Sequence, residues 1–256
     1  MQYTELNAQG IRFPDGSTQN SAASTALCVI DGLKSNWSTI ESQGGQSTSQ
    51  DFYSRTAVAV ALDPTNPPDP PAVDSKCFFG CDFVANGLSD PQLFNITNRP
   101  WVVVFKTYFT DDGTHGGYTS GEPWSVGAGI FEVDSSTKEP INEVLRIKYR
   151  HNFSSGNTEC EIANGAGASS ISAPGGGVRC SWKFVNVPGV GLSVYASDPQ
   201  VGPPTTLVAT LPANTSSSSA LKFCAFAKIM PNLVALYPAG VDVRIGVADF
   251  FFTYTD

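Results

Sequence analysis

The chain has 256 residues, enough for one large all-β domain with a sizeable core or for two small ones. Charged residues make up only 15%, against about a quarter in ordinary soluble domains, and 24 Gly, 18 Pro and many Ser, Thr and Asn take their place. A net charge of -8 with 15 Lys plus Arg and no basic run excludes nucleic-acid binding through clustered phosphate contacts, and no apolar run is long enough for a helical membrane span, so neither nucleic acid nor membrane insertion is expected.

The first residues, "MQYTELNAQG", lack the basic and then apolar regions of a secretory signal, which predicts synthesis in a cytoplasm without secretion. The next stretch, "GIRFPDGSTQ" (10–19), predicts a β-hairpin. Ile11 and Phe13 share one strand face, Pro14-Asp15-Gly16 is turn chemistry, and Ser17, Thr18 and Gln19 restart an extended strand. Two strands this short are unstable alone in water, so the unit must pack against its own chain, a sister chain or a partner.

Leu27–Ile40, "LCVIDGLKSNWSTI", is the best helical window, although Gly32 interrupts it. Beyond it the pattern is short apolar or alternating runs broken by turn residues. "RTAVAVAL" (55–62) is a strand that ends in a proline-rich loop. "WVVVFKTYFT" (101–110) is apolar on both faces and therefore central, and "VGAGIFEV" follows it. "EVLRIKYRH" alternates Leu145, Ile147 and Tyr149 with Arg146, Lys148 and Arg150, as a half-exposed antiparallel strand does. "GASSISAPGGG" reads as a flexible turn region. "VRCSWKFVNV", "VGLSVYAS", "TTLVATL", "ALKFCAFAKI" and the closing "GVDVRIGVADFFFTYTD" complete roughly ten strands from residue 55 on. The fold expected is all-β, an antiparallel β-sandwich of jelly-roll type preceded by a short N-terminal hairpin or arm. Its parts would be a docking or oligomerisation segment (1–26), a connecting stretch (27–50) and the sandwich (51–256).

Chemistry is sparse. Six cysteines without a secretion signal predict free buried thiols, and Cys77 and Cys81 lack the second ligand pair that a zinc site needs. Four N-x-S/T sequons, at Asn36, Asn95, Asn152 and Asn214, read as chance in a Ser/Thr-rich chain. No G-x-S-x-G elbow and no phosphate-binding glycine loop occurs. The long polar loop after the central strand gathers Asp111, Asp112, His115, Tyr118, Glu122 and Trp124, an aromatic and acidic set suited to a sugar. The same loop reads equally as a solvated connection whose Tyr118 and Trp124 fold back onto the core. Trp101 and Trp182 are core residues of their strands, and Trp37 plugs the sandwich or a subunit interface. No metal, cofactor or catalytic residue is expected.

The run Gly10–Gln19 resembles the Gly-(Ile/Leu)-x-Phe-Pro-Asp-Gly-Thr-x-Gln motif of tailed-bacteriophage tail-fibre and appendage proteins, with Ser17 in place of the usual Thr. The resemblance covers under a tenth of the chain. It implies a structural virion protein, made in the host cytoplasm and oligomeric, a trimer first, that docks on other virion proteins or intertwines its chains through Ile11, Phe13, Pro14, Asp15, Gly16 and Gln19. The body resembles, in pattern only, the concanavalin-like and laminin-G-type jelly rolls. That likeness implies a possible host surface carbohydrate as ligand. It also raises an enzyme, a polysaccharide depolymerase or glycosidase, as the alternative. Glu132-Val-Asp134 starts the Glu-x-Asp-x-x-Glu pattern of such enzymes, but Thr137 stands at the third acid, so a solvated strand end is expected there. A further alternative is a decoration protein that only assembles and binds no receptor.

Overall fold

The computed structural model describes the backbone of strands within residues 5–82, and side chains as well over 99–109, 124–137, 139–150, 158–172, 179–199, 201–214, 221–228 and 245–255. The elements among the described residues are strands, with turns between them and no helix.

Three short strands, β1 (Glu5–Asn7), β2 (Gly10–Arg12) and β3 (Thr18–Gln19), form an antiparallel sheet of their own. Ile11 pairs with Gln19 and Arg12 with Thr18, which is the hairpin expected of "GIRFPDGSTQ" with one more strand ahead of it. Phe13, Pro14, Asp15 and Gly16 of the expected turn lie outside the described residues.

The body is two antiparallel sheets. The first has the order β13-β12-β11-β10-β17-β8-β5, from β5 (Trp37–Gln43), β8 (Ser75–Asp82), β10 (Trp124–Val133), β11 (Pro140–Asn152), β12 (Asn157–Asn164), β13 (Gly167–Ser172) and β17 (Lys222–Ile229). The second has the order β16-β15-β14-β9-β18-β7-β6, from β6 (Gly45–Phe52), β7 (Arg55–Leu62), β9 (Trp101–Thr110), β14 (Arg179–Val187), β15 (Gly191–Ser197), β16 (Thr206–Leu211) and β18 (Arg244–Tyr254); β4 (Cys28–Ile30) pairs with β18 off this path. This is the all-β antiparallel sandwich that the alternation predicts. β9 and β18 lie side by side inside the second sheet, as their two-sided hydrophobicity requires.

Two expectations are corrected. The helical window Leu27–Ile40 is strand wherever it is described, because its β-branched and aromatic residues find partners: Cys28–Ile30 pairs with Phe250–Phe252, and the strand from Trp37 pairs with β8. The stretch read as a connector, 27–50, thus contributes strands to both large sheets. "GASSIS", read as a flexible turn, is strand β13 along its whole length, returned against β12 by a two-residue turn in which Asn164 Oδ1 accepts the Ala166 N–H at 3.0 Å.

The inner faces of the sheets share one aromatic core. Phe105 of β9 meets Phe223 of β17 at 5.3 Å edge to face, Phe223 meets Phe250 of β18 at 3.9 Å, and Phe109 stacks on both Trp124 and Tyr149 at 5.3 Å. Trp101 and Trp182 are buried as expected, at 1% and 0% exposure. One polar knot spans the layers: Thr107 Oγ1 accepts the Trp182 indole N–H at 2.9 Å and shares a hydrogen bond of 2.9 Å with the Tyr149 hydroxyl.

Candidate functional site

The expected sugar loop is represented among the described residues by its last member alone; Asp111, Asp112, His115, Tyr118 and Glu122 lie outside them. Trp124 is a correction. It opens β10 with its ring on the inner face, 0% exposed and stacked on Phe109, because the pleat aims Trp124, Val126, Ala128 and Ile130 together into the core. It cannot serve as an exposed stacking platform, and the reading in which it folds back onto the core holds for this residue.

The same pleat builds a different site on the outer face of that sheet. Between the inward residues of β10 stand Ser125, Gly127 and Gly129, a strip almost without side chains. Their neighbours are larger. Gly127 lies opposite Phe226 on β17 and Lys148 on β11, Ser125 opposite Lys228 and Arg150, and Gly129 opposite Cys224 and Arg146. The result is a trough over β10, floored by the Phe226 ring where it lies across Gly127 and flanked by Lys228 on one side and by Arg146, Lys148 and Arg150 on the other. Glycine is required at 127: a Cβ there would lie 2.6 Å from two carbons of the Phe226 ring and would collide with the Ile147 carbonyl.

The cationic wall is held by carboxylates of β11 and β12. Glu161 lies directly opposite Lys148 and receives Lys148 at 3.4 Å, Arg146 at 3.1 Å and Arg150 at 3.5 Å. Glu143 takes the Arg146 Nε at 2.9 Å and Glu159 takes Arg150 at 3.6 Å. The Arg146, Lys148, Glu143 and Glu161 side chains are only 14% to 17% exposed, so this lattice is fixed more firmly than ordinary surface pairs are.

Over Ser125 and Phe226 the trough holds a pocket of about 200 Å³. Where β10 meets β11 the register slips between Ile130 and Glu132, and Asn142 takes a left-handed φ of 49°. Glu139 and Pro140 of this β10–β11 hairpin, with Glu143, complete the pocket over Ser125, Phe226, Arg146, Lys148 and Lys228, and Glu139 pairs with Lys228 at 3.4 Å. The cavity is smaller than the roughly 300–1,000 Å³ that encloses a drug-sized ligand. A volume of that size matches one ring-sized group rather than a whole oligomer. Its walls supply guanidinium and ammonium donors, carboxylate acceptors and one aromatic edge, the set that a polyhydroxylated ring can satisfy.

Glu132 and Asp134 do not belong to this pocket. Asp134 Oδ1 accepts four hydrogen bonds, from the Ser136 hydroxyl at 2.6 Å, the Thr137 N–H at 2.7 Å, the Ser136 N–H at 2.9 Å and the Thr137 hydroxyl at 3.0 Å. These bonds, the Ser136 hydroxyl foremost, hold its carboxyl well below the ordinary carboxylate range, and Glu132 accepts from the Asn142 amide at 2.9 Å. The position where the enzyme pattern wants an acid, Thr137, instead caps a turn. Cys160, Cys180 and Cys224 are buried, and burial pushes the Cys180 thiol up to about 12 and Cys160 well above its usual value, so neither of these two is a nucleophile at neutral pH. Among the described residues no cluster of His, Cys, Asp and Glu could hold a metal ion.

The sequence itself carries a signal of the trough. In "WSVGAGIFEV" both glycines fall on the parity opposite to Trp124 and Val126, and in "EVLRIKYRH" all three cations share one face. Only the pairing of β10 with β11 puts the two features side by side.

No family model and no curated protein matches the chain. Solved structures do. An alginate lyase from Corynebacterium sp. is similar at 14% identity over 89% of this chain and 99% of that one, with a TM-score of 0.50. A lectin complexed with galactose (9% identity, 92% and 100% covered, TM-score 0.48) and lectin II from Ulex europaeus (9%, 92% and 100%, 0.47) are similar more distantly. At such identity the likeness is one of fold: the jelly-roll sandwich.

Proposed function

We propose that the chain is a glycan-binding β-sandwich carried on a tailed-phage virion by its N-terminal segment. The observation that carries the binding reading is the pocket over β10, lined by Ser125, Phe226 and paired charged groups. Solved proteins of this fold include lectins, one with galactose bound, which supports a carbohydrate as ligand. The virion assignment rests on the resemblance of Gly10–Gln19 to phage appendage motifs, with Ile11 and Phe13 as docking residues and a trimer as the first expectation.

A glycan array of the full chain tests the binding reading. Lys148→Ala and Lys228→Ala are expected to weaken any glycan signal at least tenfold, and Tyr118→Ala to leave it in place. If Tyr118→Ala or Asp111→Asn abolishes the signal while both lysine variants keep it, the loop 111–123 is the site and the trough is not. Phe13→Asp in the full chain is expected to prevent incorporation into particles, read by immunogold labelling; unchanged labelling overturns the docking role.

A second reading is favoured by the presence of alginate lyases among the similar solved structures, and by the carboxylates and cations that line one pocket: a depolymerase acting on an extended polysaccharide at this trough. It predicts new reducing ends or unsaturated uronates on incubation with acidic polysaccharides, lost in Glu143→Gln. Binding without cleavage across such a panel favours the lectin-like reading.

A further inference from the structure

The pocket over β10 is uneven in charge. Among the described residues three cations line it, Arg146, Lys148 and Lys228, against two carboxylates, Glu139 and Glu143. The other carboxylates that hold the cations of β11, Glu159 and Glu161, stand on β12, on the side of β11 away from β10. A group entering the pocket therefore meets a local surplus of positive charge in a chain whose net charge is -8. Charges elsewhere on the surface act weakly there, since interactions between exposed charges fade over about 8–10 Å at physiological salt.

The three cations are not held alike. Arg146 is committed to its neighbours: its Nε donates to Glu143 at 2.9 Å and its Nη2 meets Glu161 at 3.1 Å. Lys148 approaches Glu161, and Lys228 approaches Glu139, only at 3.4 Å, longer than the roughly 2.7–2.9 Å of a strong charge-assisted bond. Register sets Lys148 opposite Gly127 and Lys228 opposite Ser125, on the two strands that flank β10. Two strand spacings and an offset of two residues put their Cα atoms roughly 12 Å apart. Between them β10 offers nothing larger than the Ser125 side chain, so two four-carbon lysine stems can close on one anion. Glu139 is the counter-ion best able to give way. Its carbonyl is fixed by the Asp134 N–H at 3.0 Å, but its side chain is 43% exposed, whereas Glu143 and Glu161 are at most 17% exposed. An ion pair that open adds little stability, so a rotation of the Glu139 side chain frees Lys228 without moving the backbone.

We propose that the pocket selects a sugar ring bearing an acidic group, with Lys148 and Lys228 holding the anion between them and Glu139 as the internal occupant that it replaces on Lys228. This deepens the glycan reading above and rests on it. An ammonium is a point charge without the planar fork of arginine, so a ring carboxylate and a ring sulfate share this chemistry. Glu143, held by Arg146, accepts from ring hydroxyls, and Phe226 meets the apolar face of the ring.

An array of neutral, uronate-containing and sulfated oligosaccharides, probed with the full chain, tests this. Acidic oligosaccharides are expected to bind about tenfold tighter than neutral ones, and hits among the uronates or among the sulfates tell which anion is used. On the strongest acidic hit, Lys228→Gln is expected to raise Kd about tenfold, and Glu139→Gln, which keeps the size and removes the competing charge, to lower it about threefold. Glu139→Ala is the second variant, read in the same way should Glu139→Gln lose the far-UV circular dichroism spectrum of the wild type. Neutral oligosaccharides bound as tightly as acidic ones overturn the proposal and leave the glycan reading standing. An acidic affinity that the folded Glu139 variant fails to improve overturns the exchange, and with it the proposal. An array without any hit overturns the glycan reading itself.

Discussion

Asp134 shows how one side chain ends a strand. Its Oδ1 gathers two backbone N–H groups and two hydroxyls of Ser136 and Thr137, which closes the turn after β10 without glycine or proline. Those bonds favour the charged form, so the folded-state pKa lies below the unfolded value. Stability from this cap is therefore present above the ordinary carboxylate pKa of about 3.9 and is lost as pH falls through the depressed folded value. Asp134→Asn is expected to melt below wild type at pH 7, with the gap closing as pH is lowered from about 4 to 2. A gap in Tm that stays constant over that interval would show that the charge does not matter there. The sequence offered Asp134 as half of an acid pair, because spacing alone does not distinguish a carboxylate aimed at substrate from one satisfied by its own next three residues.

At the scale of elements, the sandwich is held in register by the few groups that reach across it. Thr107 of β9 sits among aromatic side chains, yet its hydroxyl serves both the Trp182 indole and the Tyr149 hydroxyl. Thr107→Val keeps the shape and deletes the shared oxygen, so the buried Trp182 indole N–H and the Tyr149 hydroxyl both lose a hydrogen-bond partner. A loss of roughly 1–3 kcal/mol is expected in urea denaturation at an unchanged m-value. A loss below about 0.5 kcal/mol would mean that the knot is not what fixes the layers. Strands such as β9, β11 and β18 were legible in the sequence, since two-sided or strictly alternating hydrophobicity states how a strand is buried. β4, β5 and β13 were not. "CVI" and "WSTIESQ" are too short or too polar to declare themselves, and "GASSIS" looks like a loop because its burial comes from the strand beside it. The trough was hidden for a related reason: the glycines of β10 and the cations of β11 lie far enough apart in sequence that only their register joins them.

Across the whole molecule charge and apolarity are sorted by surface. Among the described residues, paired cations and carboxylates collect on the outer face of the first sheet, β13 and β16 carry no charged residue, and the interior holds the Cys160 and Cys180 thiols and the Tyr149 phenol, kept neutral by burial. That interior sets an alkaline limit. Burial raises the Cys160 and Tyr149 pKa values well above normal and pushes Cys180 up to about 12, whereas the unfolded chain releases these protons near pH 8.5 to 10. The neutral forms stabilise the fold below those unfolded values, and that contribution disappears as pH climbs through the folded ones. Each fully linked group adds a slope of about 1.4 kcal/mol per pH unit against the native state. Cys180→Ala removes one such group. It is expected to be less stable than wild type at pH 7, where the lost sulfur leaves a small cavity, and to recover relative to wild type between about pH 9 and 11 as the wild type alone loses stability to thiol ionisation. Urea midpoints across that range test this by difference, which cancels the lysine and remaining tyrosine titrations common to both chains. Parallel curves would mean that the Cys180 thiol ionises no harder in the folded sandwich than in the open chain.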